Sequence, residues 1–261
     1  MALTPEQKEA WERDGFFIVR GFAPAEVLQA MTGRVIELAR EQADGADIAP
    51  AYVLEEAALV PHAEHPEDRL SKLFRVHREQ TVFRAFCEQA DLLDLVEGIL
   101  GSELDCFLSQ FIFKNPGALG QPWHQDAFYF PFDRGPQLGV WLAVSESVIE
   151  NGPLWVLPGS HREPVHPVER DRRVHANYAY VEIVDHDMSA AVPALMEPGD
   201  LLLFHSHLMH KSTDNQSARR RAAMVYHYGE GGTIDQSQER WGFTPPNTDW
   251  LPVRRTRGRR T

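Results

Sequence analysis

The chain has 261 residues, 43% hydrophobic and 25% charged, with a formal net charge of -12. This length and composition are typical of a globular protein with a buried core, and the acidic balance disfavours nucleic-acid binding, because phosphate contacts require clustered Lys and Arg. Two cysteines, an N-terminus without an apolar leader and the lack of a membrane-length apolar run predict a soluble cytoplasmic protein with no membrane partner.

Residues 1–100 are predicted to form a mainly helical layer. The first helix has a strong start signal, because Thr4 can cap it and Gln7 completes a capping box. The apolar run Phe16–Val19 is predicted to be a short buried strand. The acidic segment 43–68 contains several prolines and is predicted to have no regular structure. Apolar spacing and end signals predict helices over residues 5–14, 24–42, 79–90 and 91–100.

After Gly101 the pattern changes to short apolar runs separated by Gly, Pro, Asn and Asp turns, which is typical of an all-β sandwich or barrel. The long connection 161–196 is a candidate lid over a site. We therefore predict a jelly-roll core over residues 101–230 and a C-terminal extension over 231–261, within a single domain of residues 1–261. The predicted strands are Leu104–Phe113, Gly139–Ser145, Leu154–Leu157, Asp200–Phe204 and Ala222–Tyr228.

The first candidate metal motif is His124-Gln125-Asp126. In a strand, residues two apart point to the same face, so this imidazole and this carboxylate could hold one metal ion from one side. The spacing alone is weak, because pairs such as His62/Glu64 repeat it elsewhere in the chain. Its aromatic surroundings distinguish the pair at 124, since ionisable groups among aromatic residues are costly unless they are paired or bind a metal.

A histidine cluster further along the chain supplies the second candidate, with His205, His207 and His210 after an apolar run and His210 84 residues beyond Asp126. If this segment is one strand, His210 lies on one face and the other two lie on the opposite face, and alternation alone does not choose the ligand. Two histidines and one carboxylate form a facial triad that leaves three positions open on Fe(II). The alternative, a zinc hydrolase built on the three histidines, needs a catalytic Glu that the sequence does not place.

Three consecutive cations, Arg219, Arg220 and Arg221, precede the last predicted strand. A co-substrate with a distal carboxylate requires a guanidinium that can bind it through two hydrogen bonds near the floor of a barrel. The alternative interpretation is that consecutive arginines lie in a solvated turn. We predict this for two of the three arginines.

Four sequence blocks, in a fixed order, resemble the phytanoyl-CoA dioxygenase family of 2-oxoglutarate oxygenases over about residues 5–230. The resemblance is greatest to its phytanoyl-CoA dioxygenase domain-containing proteins. It implies a mainly β fold with flanking helices, in which a double-stranded β-helix, that is a jelly-roll or cupin-like core, carries an N-terminal helical layer. The blocks are Gln7–Phe22, Trp123–Asp126, Asn151–His161 and Gly199–Arg221.

The resemblance also implies which residues act. It assigns the metal to His124, Asp126 and His210, because the family's distal histidine is followed after one residue by Ser, here Ser212. It assigns the far carboxylate of 2-oxoglutarate to Arg221, eleven residues beyond that histidine. The residues implied to line the co-substrate pocket are Ser212, Trp141, Gln110 and Lys72, the last reaching in from the helical layer.

The implied activity is that of a 2-oxoglutarate-dependent non-haem iron dioxygenase that hydroxylates a small organic substrate with release of succinate and CO2. Fe(II), 2-oxoglutarate and O2 would be required, with ascorbate as a candidate stimulant. Related halogenases have Gly or Ala in place of the carboxylate, so Asp126 favours hydroxylation over halogenation. Two alternatives stay open: a catalytically idle module that binds 2-oxoglutarate and metal, and the zinc hydrolase on His205, His207 and His210.

Overall fold

The computed structural model describes residues 1–241 and 250–255. Within them, helices cover Pro5–Asp14 (α1), Ala25–Ala43 (α2), Thr81–Cys87 (α3), Ala90–Leu100 (α4), Asp126–Tyr129 (α5) and Ser237–Trp241 (α6). Strands cover Phe16–Val19 (β1), Tyr52–Glu55 (β2), Leu70–Phe74 (β3), Leu104–Lys114 (β4), Leu138–Ala143 (β5), Leu154–Val156 (β6), Glu169–Arg170 (β7), Val181–Glu182 (β8), Val192–Ala194 (β9), Leu201–His205 (β10), His210–Ser212 (β11), Arg221–Glu230 (β12) and Leu251–Arg254 (β13).

The strands form a large antiparallel sheet, a small three-stranded sheet and the separate pair β7-β8. The large sheet has the order β1-β10-β5-β12-β4-β3-β2, with β13 also paired to β4, and the small sheet has the order β11-β6-β9. Successive residues of a strand point to opposite sides. Leu201 and Leu203 accordingly pack with the apolar faces of α2, α3 and α4, while Leu202 and Phe204 pack with Val156 of the small sheet. The two sheets therefore enclose an inner space, and the helices cover the outer side of the large sheet, as the sequence predicted.

The first helix begins and ends where its signals indicate, whereas the helix predicted over residues 79–90 is shorter and covers Thr81–Cys87. The Thr4 hydroxyl accepts a hydrogen bond from the Gln7 backbone N–H (3.2 Å), and the Gln7 side chain accepts one from the Thr4 N–H (2.9 Å), so the capping box is confirmed. Gly15 ends α1 in the left-handed conformation, with φ of 82°. None of the helices in the described ranges is long and apolar enough to cross a membrane.

The large sheet also contains three strands that lie within the predicted helical layer, residues 1–100. β1 pairs with β10, and β2 and β3 extend the sheet beyond β4. The prediction of no regular structure over 43–68 was wrong at Tyr52–Glu55, an edge strand whose residues are exposed or half-buried and therefore lack an alternating apolar pattern. The connection 161–196 is also partly ordered, because β7 pairs with β8 and β9 joins the small sheet.

The predicted C-terminal extension 231–261 is described at 231–241 and 250–255, where it forms α6 and β13. β13 adds to the large sheet beside β4. The remainder of the extension lies outside the described residues.

Candidate active site

Three buried side chains converge at one end of the inner space: His124, Asp126 and His210. His124 and His210 exchange two backbone hydrogen bonds of 2.9 and 3.0 Å, and this isolated bridge holds the two rings 4.1 Å apart. Asp126 Oδ1 lies 3.6 Å from His124 Nε2 and 3.7 Å from His210 Nε2. The carboxylate and both imidazoles thus face a common point.

The backbone around this cluster differs from the continuous strands that the sequence suggested. Gln125 is extended (φ -117°, ψ 131°), but α5 begins at Asp126, so the same-side placement of His124 and Asp126 depends on one extended residue only. On the other side, β10 ends at His205, and the chain crosses to the small sheet, where His210 begins β11. The Gln125 amide fixes the first segment, because it donates hydrogen bonds to the carbonyls of Pro164 (3.1 Å) and His207 (2.9 Å).

Both histidine rings have a defined tautomer. His124 Nδ1 donates to the Pro122 carbonyl at 2.7 Å, and His210 Nδ1 donates to the Leu208 carbonyl at 2.9 Å. In neutral rings the lone pairs are therefore on Nε2 and face the Asp126 carboxylate, at distances too long for hydrogen bonds. Three converging electron-pair donors without a proton between them match the ligand set of a divalent metal.

Burial and charge keep this cluster in the protonation state that a metal requires. Burial, together with the charge of His124, lowers the pKa of His210 to about 4, against the opposing effect of Asp126. Burial alone would raise the pKa of Asp126, but His210, His124 and His227 outweigh it and hold this pKa well below the ordinary value. Near neutral pH the site presents a neutral His210 imidazole and an ionised carboxylate.

His205 and His207 do not join this cluster. His205 packs against the rings of Trp11 (5.6 Å) and His161 (5.4 Å) on the other side of β10. Its Nδ1 accepts a hydrogen bond from the His207 backbone N–H at 2.9 Å, and burial lowers its pKa to about 3. Within the described ranges no metal-binding set contains His205, His207 and His210 together, so the geometry does not favour a zinc hydrolase on these three.

Of the three consecutive arginines, only Arg221 lies on the inner face. Its side chain is 1% exposed, and Nη2 donates to the Gly152 carbonyl at 3.0 Å, while Nε and Nη1 have no hydrogen-bond partner among the described residues. The guanidinium lies 5.4 Å from the Trp141 ring, and burial lowers the pKa of Arg221 to about 10. Arg219 instead pairs with the Glu146 carboxylate at the surface. Two orphaned N–H donors on one buried guanidinium match the two oxygens of a missing carboxylate.

A lysine that sequence reasoning missed lies beside Arg221. Lys114 faces Arg221 across the β4–β12 pair and donates to the Ser212 hydroxyl (2.7 Å) and the Thr213 carbonyl (2.5 Å). Burial, reinforced by the charge of Arg221, lowers the pKa of Lys114 well below its ordinary value. Glu56 is a buried acid on the same cavity, and burial raises its pKa. The floor of the cavity therefore carries two neighbouring basic side chains, Arg221 and Lys114, which suits a bound dianion.

Lys72 lines the same cavity but reaches it from β3 in the large sheet, and not from the helical layer as predicted. Its ammonium lies 3.3 Å from the Gln121 side-chain oxygen and 5.2 Å from the centre of the Tyr180 ring. Burial lowers the pKa of Lys72 to about 8, against the attraction of Asp126 and Glu56. The structure thus places Lys72 on the cavity that holds the histidine pair.

His227 is a further inner-face residue that was not predicted. Its Nδ1 lies 3.7 Å from Asp126 Oδ2, and its Nε2 lies 3.2 Å from the Gln110 side-chain amide. Strand alternation would have revealed it, because residues 221, 223, 225 and 227 of β12 share one face. Gln110 also lines the cavity, and His227 lies between its amide and the Asp126 carboxylate.

The cavity has a volume of about 440 Å³, with the triad, Arg221, Ser212 and Trp141 on its wall. Its other wall is aromatic: the Phe107 ring lies 4.9 Å from both Phe130 and Phe132. The cavity therefore combines polar groups at the metal-binding cluster and the floor with an aromatic wall, which meets the polar part at His227, 5.1 Å from the Phe130 ring.

Gly152 supports this floor, and its substitution should be costly. It has φ of 81°, and a Cβ atom would lie 2.5 Å from the Thr213 carbonyl oxygen. We expect Gly152→Ala to lower the free energy of unfolding by about 1–3 kcal/mol, because both the backbone strain and the clash oppose the native conformation. Urea denaturation measures this. Gly33→Ala, in α2 with open space around it, is the matched control and should be neutral or stabilising; equal losses in both variants would contradict the prediction.

Comparison with known proteins places the chain in a family. The sequence profile described as phytanoyl-CoA dioxygenase (PhyH) matches residues 11–223. Peroxisomal phytanoyl-CoA dioxygenase of Mus musculus is 30% identical over 87% of this chain and 68% of its own length. Phytanoyl-CoA dioxygenase domain-containing protein 1 of Bos taurus is 28% identical over 96% of this chain and 98% of its own length.

Solved structures confirm the fold. The non-heme monooxygenase ThoJ superposes with a TM-score of 0.72 at 23% identity, covering 95% of this chain and 83% of that protein. EctD from S. alaskensis, solved with 2-oxoglutarate and 5-hydroxyectoine, gives a TM-score of 0.68 at 22% identity, over 87% of this chain and 76% of its own. The profile match, the near full-length relatives and the buried His-Asp-His cluster agree, and the chain belongs to the phytanoyl-CoA dioxygenase family of Fe(II)/2-oxoglutarate oxygenases.

Proposed function

We propose that this protein is an active Fe(II)- and 2-oxoglutarate-dependent dioxygenase that hydroxylates a small, largely apolar organic molecule. The observation that carries the proposal is the joint presence, on one cavity, of three buried metal-binding side chains and a buried guanidinium with two unpaired N–H donors. A metal ligand set alone would fit many enzymes. A cationic floor beside it is suited to a chelating co-substrate with a second carboxylate.

Each part of the chain then has a defined task. His124, Asp126 and His210 hold Fe(II), which supplies oxidative chemistry with O2 and 2-oxoglutarate when bound. Arg221 binds the distal carboxylate of 2-oxoglutarate and so fixes the orientation of its keto acid end. Lys114 donates a hydrogen bond to the Ser212 hydroxyl and so orients it. The aromatic wall excludes water from the reacting atoms.

The same wall indicates the class of substrate. The Phe107 ring makes edge-to-face contacts with Phe130 and Phe132, which stack on each other at 5.8 Å. Trp250 extends the cluster, with ring distances of 5.4 Å to Phe107 and 4.8 Å to Phe132. Apolar walls bind compact apolar groups, because polar groups would lose hydrogen bonds to water there. The cavity of about 440 Å³ must hold the co-substrate as well, which favours a small substrate over a long chain.

The direct test is formation of succinate from 2-oxoglutarate by anaerobically reconstituted protein on exposure to O2, first alone and then with a panel of small apolar molecules. We expect slow substrate-independent succinate formation and a marked increase with a true substrate, detected as a hydroxylated product. Co-substrate binding without any succinate would instead support the idle binding module. A chlorinated product in the presence of chloride would contradict the role of Asp126 as a ligand.

Lys72 should make 2-oxoglutarate binding depend on pH. Its pKa of about 8 means that the free protein loses this positive charge as the pH rises above 8, so affinity for the dianion should fall there, by at most about tenfold per pH unit, the limit for one proton. Below pH 8 the charge is present and this effect disappears. Anaerobic calorimetry with Fe(II) across this range measures it.

Lys72→Met is the control for this pH dependence, because other charged groups also face the site. Arg221, with a pKa of about 10, Lys114 and Glu56 share the cavity. The variant should bind 2-oxoglutarate more weakly at neutral pH and show a flatter dependence above pH 8. An unchanged slope would assign the effect to another group.

A further inference from the structure

A second set of metal-binding side chains lies outside the triad, on the connection 161–196. Glu163 Oε2 lies 2.9 Å from His166 Nε2 and 3.0 Å from His186 Nε2. Across the described part of the chain, this set and the triad are the two groups of three or more His, Cys, Asp or Glu whose ligand atoms all lie within 4.8 Å of one another. Unlike the triad, its members are only half-buried, so an ion could exchange with solvent.

The hydrogen bonds of His186 cannot all be satisfied by a neutral imidazole. Its Nδ1 lies 3.1 Å from the Asp187 carbonyl oxygen, which only accepts, so Nδ1 carries the proton. The neutral ring then presents the lone pair of Nε2 to the Glu163 carboxylate, which also only accepts. Either a second proton on the ring or a cation between the two groups is required. His124 and His210 likewise have Nδ1 on a backbone carbonyl and Nε2 towards a carboxylate, at the longer distances of 3.6 and 3.7 Å.

The carboxylate is suited to a cation. The Glu163 Oε2 oxygen only accepts, and it lies beside the Nε2 atoms of both His166 and His186. In a tetrahedral zinc site, nitrogen and oxygen ligands lie about 3.4 Å apart, since each is about 2.0–2.1 Å from the metal. The observed distances of 2.9 and 3.0 Å need only a small outward movement of a flexible glutamate side chain.

We propose that Glu163, His166 and His186 form a second metal site, which takes Zn(II) or a similar divalent transition ion with water as the remaining ligand. The ion would join residues 163–166 to His186 and so close the segment between them.

This segment forms part of the cavity wall. Tyr178, Ala179 and Tyr180 line the cavity, and the Ala179 carbonyl accepts a hydrogen bond from Tyr129 at 3.0 Å. The His166 backbone N–H also donates to the Gln125 side chain at 2.8 Å, next to two triad ligands. A metal at Glu163 would therefore fasten the wall of the cavity without taking part in iron chemistry.

Zinc stoichiometry tests the site directly. The metal-free full chain is dialysed against Zn(II), and bound zinc is measured by elemental analysis. We expect a second equivalent in the wild-type chain, a single equivalent in Glu163→Gln/His186→Gln, and a single equivalent in Asp126→Ala/His210→Ala, which lacks the triad. The exposed pair changed in His62→Ala/Glu64→Ala is the matched control and should retain both equivalents.

A second measurement reports on the connection itself. In the triad-lacking variant, Zn(II) should slow tryptic cleavage after the exposed residues Arg170 and Arg172, and Glu163→Gln/His186→Gln in the same background should abolish this protection. A single equivalent in the wild-type chain, or zinc binding unaffected by Glu163→Gln/His186→Gln, would overturn the proposal. Because no readout involves 2-oxoglutarate turnover, the outcome is independent of the proposed activity.

Discussion

Replacing His210 with Ala should reduce 2-oxoglutarate turnover by at least about 10³-fold, because the contribution of the bound metal, several kcal/mol, is lost when a ligand is removed. His124→Ala and Asp126→Ala should have effects of similar size. The reason is geometric: the ligand atoms of these three buried side chains all lie within 4.8 Å of one another, so removal of any one leaves an incomplete ligand set. Succinate formation under O2, with iron content measured on the same samples, gives the result.

His205→Ala is the matched control for this prediction. It removes a histidine of the same sequence cluster whose ring packs against Trp11 and faces away from the metal-binding cluster. We expect it to keep iron and turnover, with some loss of stability. If His205→Ala lost metal while His124→Ala retained it, the zinc alternative would replace the proposed iron site.

The sequence predicted the parts of this site that depend on local spacing. The pair His124 and Asp126 was identifiable because a single extended residue suffices to place both side chains on one side. The choice of His210 over its neighbours was not derivable in this way, because β10 ends at His205 and the chain crosses to the other sheet before His210. Strand alternation fails across such a crossing, and only the family resemblance supplied the choice.

The missed residues depend on pairing between distant strands. Lys114 lies opposite Arg221 because β4 and β12 pair in one particular register, which no local pattern encodes. Tyr180 reaches the cavity from the connection 161–196, where the sequence showed only a candidate lid. The strand Tyr52–Glu55 was missed for a different reason: an edge strand with little burial has no alternating apolar pattern in its sequence.

Replacing Arg221 with Ala should raise the KM for 2-oxoglutarate by about two orders of magnitude. Removing the partner of a buried carboxylate costs about 3 kcal/mol, since the remaining charge stays away from water without compensation. Arg221→Lys should have a KM between those of the wild-type protein and Arg221→Ala, because an ammonium keeps the charge but not the paired N–H donors. Initial rates of succinate formation over a range of 2-oxoglutarate concentrations measure both.

Co-substrate selectivity separates this role from a general loss of structure. The wild-type protein should discriminate strongly between 2-oxoglutarate and 2-oxovalerate, which lacks the distal carboxylate, whereas Arg221→Ala should lose most of this discrimination because the group that reads the carboxylate is gone. Arg219→Ala is the matched control, since Arg219 pairs with Glu146 at the surface, and it should leave both KM and selectivity unchanged. If Arg221→Ala kept this selectivity, the distal carboxylate would have to be bound by Lys114 or Lys72, the other basic residues on the same cavity.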